Sequence, residues 1–290
     1  MVFLQQMLNG VMLGCTYVLV ALGFTLIFGL LRLVHLAHGE VLMVGGYLGL
    51  ILIGYLGANI WIALAGTAMA TGLIGILIYY AAIRKVEKGG HLAPLVSTIG
   101  AAIILQEIFT KLFTGEKTAF PETIVSKNIN LGFIAFKGAQ PFIIILSLLF
   151  MLIIYYIIKK TMVGKSIRAL SENPQTARLL GVPVTKIVVI TFGMASILAG
   201  IGGILVGTAY HSIYPLMGIE IGLKGLAIIV IGGMGNVVGA MVSGLIVGLM
   251  EVFSVAYISA PYKDAFAYGL MMVILIWKPE GLFGTLTEKK

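Results

Sequence analysis

The chain is a succession of apolar runs, most of them about as long as a membrane is thick. A helix needs about 20 residues to cross ~30 Å of hydrocarbon. Runs of about this length lie near residues 10–31, 39–57, 60–83, 91–113, 141–158, 187–209, 236–256 and 262–278. A further run, residues 222–232, is too short to cross as a regular helix. Only 10% of the residues are charged and 60% are hydrophobic, whereas soluble domains carry about 25% charged residues. Most of this chain therefore never meets water. The expected fold class is all-α: a polytopic membrane protein of about eight full transmembrane helices plus one short or broken membrane segment, forming a single transmembrane domain over residues 1–290.

The net charge of +8 sits in short loops between these runs, which argues for membrane orientation and against nucleic-acid binding. Placing residues 159–186 in the cytoplasm and alternating outward puts thirteen of the nineteen Lys and Arg there, including all four arginines. Lys111, Lys117, Lys127, Lys137, Lys224 and Lys263 remain outside. The N-terminus is then outside and the C-terminus cytoplasmic, provided that 222–232 counts as one crossing. The lone cysteine, Cys15, excludes an intrachain disulfide and a cysteine-based metal cluster. The start, MVFLQQMLNG, lacks the basic residues of a secretory signal, so the first run is expected to be kept as a helix. In the outer loop, residues 114–140, short β-branched runs between turn residues predict a small strand or hairpin.

The longest break in the apolar pattern is residues 159–186, KKTMVGKSIRALSENPQTARLLGVPVTK, with six basic residues against one acid, Glu172. Asn173 is a good N-cap and Pro174 suits the first helical position. Gly181 suits the position just past the end, and Pro183 blocks continuation. The punctuation predicts a helix of about two turns, presenting Ala177, Leu179 and Leu180 beside Arg178. So short a helix does not hold itself together in water. It packs on its own protein or is received by a partner.

Several motifs are deceptive. VGKS at 163–166 resembles the end of a phosphate-binding loop, but Lys159 stands where that loop needs glycine. His35 and His38 lie three apart near Glu40. They suggest either a metal or proton site, or polar helix-end groups bonded to nearby backbone. Glu40, Glu107 (beside Gln106) and Glu251 fall in apolar runs, where ionisable groups are expensive. Each lines a watery path or sits hydrogen-bonded at a helix interface. In residues 218–239 a half-length run ends at Gly232, Gly233, Gly235 and Asn236 before a full helix begins. Broken helices line wet cavities in transporters, because their free ends offer N–H and C=O groups; a simple turn between helices is the alternative. The 38 glycines include pairs four apart, Gly45/Gly49, Gly203/Gly207, Gly235/Gly239 and Gly244/Gly248, which suit close helix packing.

Four segments together carry a family resemblance. They are GLLRLVHLAHGEVLMVGGY at 29–47, GKSIRALSENPQTARLLGVPVTKIVVITFGMASILAGIGGILVG at 164–207, the glycine-rich stretch 215–248, and IWKPEGLFG at 276–284. In order and spacing they resemble a permease subunit of branched-chain amino acid ABC transporters, of the LivH type, over nearly the whole chain. His35 and Leu36 replace the Asn-Phe usual there before Ala-His-Gly-Glu. The resemblance implies a subunit that is not an enzyme and holds no cofactor or metal, with ATP used by separate ATPase chains. It implies a second permease subunit (LivM-like, or another copy of this chain), a solute-binding protein on the outer face, and a place in the cytoplasmic (inner) membrane. Coupling to the ATPase would fall on Arg168, Glu172, Asn173, Pro174, Ala177, Arg178 and Gly181. The candidate solute path comprises His38, Glu40, Gln106, Glu107, Gly232, Gly233, Gly235, Asn236 and Glu251. The expected cargo is a branched-chain or other hydrophobic amino acid. Relatives that carry urea, short amides or other amino acids give an alternative, and an ion-coupled transporter or channel is a more distant one.

Overall fold

In the long membrane runs, apolar residues continue from one helical turn to the next with little polar face, so those helices form wherever capping and turn residues allow. The computed structural model describes residues 2–86, 90, 92–122, 128–130 and 135–284. In chain order the helices are α1 (Val2–Leu31), α2 (His38–Leu50), α3 (Ile60–Ile78), α4 (Leu92–Leu112), α5 (Ala139–Lys160), α6 (Met162–Glu172), α7 (Pro174–Leu179), α8 (Val184–Tyr210), α9 (Met217–Gly232), α10 (Val237–Tyr257) and α11 (Lys263–Trp277). A π-helical turn extends α2 over Ile51–Tyr55 and another extends α3 over Tyr79–Ile83. Asn59, Thr161, Asn173 and Asn236 cap α3, α6, α7 and α10, each side chain accepting a free backbone N–H of the first turn. The protein is an all-α polytopic membrane protein, as its composition predicts.

Seven of the described helices are long and apolar enough to cross a membrane. The predicted eighth run becomes α11, whose 15 residues span about 22 Å at 1.5 Å per residue. The predicted half-length run begins earlier than expected: α9 starts at Met217 and has 16 residues. This draws Lys224, counted among the outer-loop cations, into the middle of a helix. Lys88, Lys127, Lys289 and Lys290, also counted in the orientation, lie outside the described residues.

The predicted hairpin in 114–140 is present: β2 (Asn128–Asn130) pairs antiparallel with β3 (Ala135–Lys137). A second small pairing joins β1 (Thr118–Ala119) to β4 (Ser212–Ile213), the connection between α8 and α9. The Phe120 ring follows β1 and is buried against Gly49 of α2 and Gly207 of α8. This end of the bundle is opposite the one that carries residues 159–186.

Glycine sets the helix spacing. Gly10 and Gly14 of α1 lie against Leu249, Leu245 and the Gly244 carbonyl of α10, and Gly244 meets Val18. Gly45 of α2 faces the Gly200 backbone of α8, while Gly203 faces the Leu42 carbonyl and the Gly46 amide. Without a hydrophobic drive between helices in lipid, such backbone approach supplies the packing energy. Of the pairs singled out by spacing, Gly207 receives the Phe120 ring rather than another helix, and Gly235 turns the chain with φ +86° where it meets Gly29 of α1. We expect Gly203→Val to lower the melting midpoint of the purified protein clearly, since overpacking a tight site costs about 1–3 kcal/mol or more. Gly100→Ala, with nothing within 4 Å of the added methyl, is expected to leave it unchanged or raise it. Equal melting of Gly203→Val and the unaltered protein would refute the packing assignment.

Candidate solute site

An irregular stretch of backbone follows α1. Arg32 takes a left-handed conformation (φ 56°) and donates from Nη2 to the Ser171 carbonyl of α6 at 3.3 Å. The chain then turns back into the bundle. His35 and Ala37 are buried, Leu36 N–H donates to Thr98 Oγ1 of α4 at 3.4 Å, and α2 opens with His38, Gly39 and Glu40 all buried. His38 occupies space that a side chain at Gly23, in the middle of α1, would need. Helix α2 therefore begins inside the protein rather than at its surface. Non-helical backbone at such depth is tolerated where it is buried in protein or lines a cavity.

A cavity of about 190 Å³ lies beside this start. Glu40, Gln106 and the glycines Gly218 and Gly222 line it together with Phe24, Leu36, Ile99, Ala102, Ile103, Ile219, Leu223 and Leu226. It opens between α4 and α9, where Ile99, Ile103, Ile219 and Leu223 are exposed. The Glu40 carboxylate is pinned by the α9 backbone: a methyl on Gly218 would lie 2.5–2.9 Å from its oxygens. Its Oε2 is buried and has no hydrogen-bond partner among the described residues. His35 and His38 are buried too, packed edgewise or tilted against Phe192 and Phe24, with ring centroids 6.2 Å apart. The described residues contain no group of three or more His, Cys, Asp or Glu that could hold a metal.

The structure thus brings Glu40 and Gln106 together from opposite sides of one cavity. The other predicted path residues lie elsewhere. Glu107 is exposed on α4. Glu251 accepts from Lys224 Nζ at 2.9 Å on both oxygens, and from the Tyr17 hydroxyl at 2.8 Å. Lys224 also lies 2.8 Å from Asp264 Oδ1 and 3.3 Å from the Tyr17 hydroxyl. This network ties α1, α9, α10 and α11 on a side of α9 away from the cavity. Its signal was present in the sequence: a lysine and a glutamate in neighbouring apolar runs each need a counter-charge.

Gly232, Gly233, Gly235 and Asn236 form a turn at the end that carries residues 159–186, packed on Gly29 and on the chain's last described residues. Leu282 and Phe283 N–H donate to the Ile231 and Gly232 carbonyls at 2.8 and 3.1 Å, and Asn236 Nδ2 donates to the Phe283 carbonyl at 2.8 Å. The IWKPEGLFG segment thereby caps the end of α9. Gly233 is explained by that seat, where a side chain would meet Gly284 and Glu280, while Gly232 packs on Gly239 of α10 and Gly235 on Gly29 of α1.

At the same end, α7 has the predicted caps. Asn173 Oδ1 accepts the Gln175 and Thr176 N–H groups at 3.0 and 2.9 Å, and Gly181 turns with φ +82°. Arg168 donates to the Ile158 carbonyl and so holds the end of α5. Glu172, Pro174 and Arg178 are exposed. Ala177 differs from expectation: it is 2% exposed and packs inward on its own chain, whereas Leu179 and Leu180 are 88% and 78% exposed. Gly164 of the VGKS motif lies against the last carbonyls of α5, so α6 packs there in place of any loop around a phosphate.

Comparison with known proteins agrees with this architecture. The family described as branched-chain amino acid transport system / permease component matches residues 6–275. The chain is 34% identical over 296 residues to the high-affinity branched-chain amino acid transport system permease protein LivH of Salmonella typhimurium, covering 97% of this chain and 96% of that one. It is 32% identical to the corresponding protein BraD of Pseudomonas aeruginosa, with the same coverage. A weaker match, 25% identical over 92% of this chain and 67% of the other, is to LivM of Salmonella typhimurium. No solved structure matches the chain.

Proposed function

The chain belongs to the branched-chain amino acid transport permease family, and from that premise we propose that it is the membrane-spanning subunit of an ATP-driven importer for branched-chain or other hydrophobic amino acids. The carrying observation is 34% identity to a LivH protein along almost the full length of both chains. The lining of the cavity supports an aliphatic cargo over urea, since most of its wall is isoleucine, leucine and phenylalanine. ATP is hydrolysed on separate chains that dock on residues 159–186. A soluble binding protein delivers solute at the opposite end, beside the β2–β3 hairpin. The match to LivM as well as LivH supports a pair of permease subunits, LivM-like or a second copy. The protein then lies in the cytoplasmic membrane with its N-terminus outside and its C-terminus inside, as the split of basic residues supports.

The test is uptake by inside-facing liposomes that hold the purified permease pair and ATPase, with binding protein added outside. Leucine, isoleucine and valine are expected to accumulate only with internal ATP and binding protein. Urea and short amides serve as the competing cargo. Uptake that needs no ATPase would refute the reading in favour of an ion-coupled carrier or channel.

A further inference from the structure

Resting on the proposed amino-acid cargo, we infer that the cavity at the start of α2 is a solute-holding site in which the Glu40 carboxylate receives the solute's ammonium group. Four observations converge on it. Glu40 is 1% exposed, yet its buried Oε2 has no hydrogen-bond partner and its carboxylate no ion pair among the described residues. Buried carboxylates are ordinarily paired, because an unpaired charge in an apolar setting is very unfavourable. The other buried acid on these helices, Glu251, follows that rule with Lys224; Glu40 departs from it. A missing cation is what a cationic ligand supplies.

The second observation is location. Glu40 sits in the first turn of α2, and the N-terminal end of a helix favours negative charge there. The third is preorganisation. Gly218 brings the α9 backbone against the carboxylate, and Gly39 packs on Gly218 and Gly222, so the acid is held still before any ligand arrives. The fourth is the rest of the wall. Ile99, Ile103, Leu223 and Leu226 offer aliphatic contact, and the amide of Gln106 offers a second acceptor on the facing helix. A volume of about 190 Å³ is below the ~300–1,000 Å³ of pockets for drug-sized ligands. An ammonium-bearing solute with a short aliphatic chain meets both requirements; a solute without an ammonium leaves Glu40 unpaired. His35 and His38 do not compete for the role, since neither is within ion-pair distance of the carboxylate among the described contacts.

The assembled transporter in nanodiscs, without binding protein, is the material for the test. Bound radiolabelled leucine is challenged with 3-methylbutylamine, which keeps the ammonium and loses the carboxylate, and with 4-methylpentanoate, which does the reverse. The amine is expected to displace leucine and the acid to fail at equal concentration. Glu40→Gln, nearly isosteric and uncharged, is expected to weaken leucine binding at least tenfold, and Glu40→Asp to weaken it less. Displacement by 4-methylpentanoate as effective as by the amine, or no leucine binding by the unaltered transporter, overturns the assignment. So does a Glu40→Gln affinity within twofold of the original. The displacement result uses the unaltered protein and stands even if the variants do not assemble. If ATP-driven leucine uptake occurs while the displacement pattern fails, the site is wrong and the transport function survives. If the transporter takes up no aliphatic amino acid, the functional reading falls first.

Discussion

Lys224→Met is expected to lower the melting midpoint of the purified protein by roughly 6–20 °C. The size follows from the charges it strands. Lys224 is almost wholly buried between Glu251, 3% exposed, and Asp264, which is about half exposed. Removing one partner of a buried ion pair costs about 3–5 kcal/mol, because the remaining charge has no solvent. For larger domains each kcal/mol is worth about 2–4 °C. Tyr17 donates to Glu251 and can offset only part of the loss. Asp264 can turn toward water, so Glu251 is the group left stranded. The double variant Lys224→Met with Glu251→Leu is therefore expected to recover most of the stability, as apolar replacement of a whole buried pair often does. Differential scanning fluorimetry on the three proteins and the parent measures both effects. A single variant that melts within about 2 °C of the parent, or a double variant worse than the single, would sink the account.

Leu179→Asp with Leu180→Asp is expected to abolish recovery of the ATPase chain while the permease keeps its own melting midpoint. Two exposed leucines are anchored on a helix of six residues whose ends are fixed by Asn173, Pro174 and Gly181. Arg178 is exposed beside them in the chain, and Lys165 and Lys186 are exposed on the flanking helices α6 and α8. A carboxylate placed where an apolar anchor is received buries an unpaired charge in the interface, which costs about 2 kcal/mol or more at each position. The pair then weakens binding by a hundredfold or more at ~1.4 kcal/mol per decade. Ala177→Glu has the opposite signature. Ala177 packs inward, so a buried charge there lowers the permease's own stability before it touches any partner. Pull-down of the ATPase beside melting curves of each permease separates these cases. Equal ATPase recovery from the leucine variant and the parent would defeat the docking assignment.

The caps of α7 were readable residue by residue, because Asn173, Pro174 and Gly181 act within a few positions of one another. So were the membrane class and most of the helix count, since apolar length is a local property. The family followed from four motifs in order. The faces of the helices were not readable. A helix of a soluble protein shows its buried side by a polar opposite face. Here most of α1 and α8 is apolar all round, and little along them says which side meets protein and which meets lipid.

That is why three acids in apolar runs, Glu40, Glu107 and Glu251, end in three different surroundings. Glu40 and Gln106 reach one cavity from positions far apart in the chain, Glu251 closes an ion pair with Lys224, and Glu107 faces outward. The glycine break at 233–236 was visible; its role was decided by residues 280–284 folding back onto it, a contact between distant segments. Hydrophobicity and capping act within a turn or two and are written in the chain. Which buried charge finds a counter-charge, and which is left waiting for one, depends on helices meeting across the bundle, and that is settled by packing.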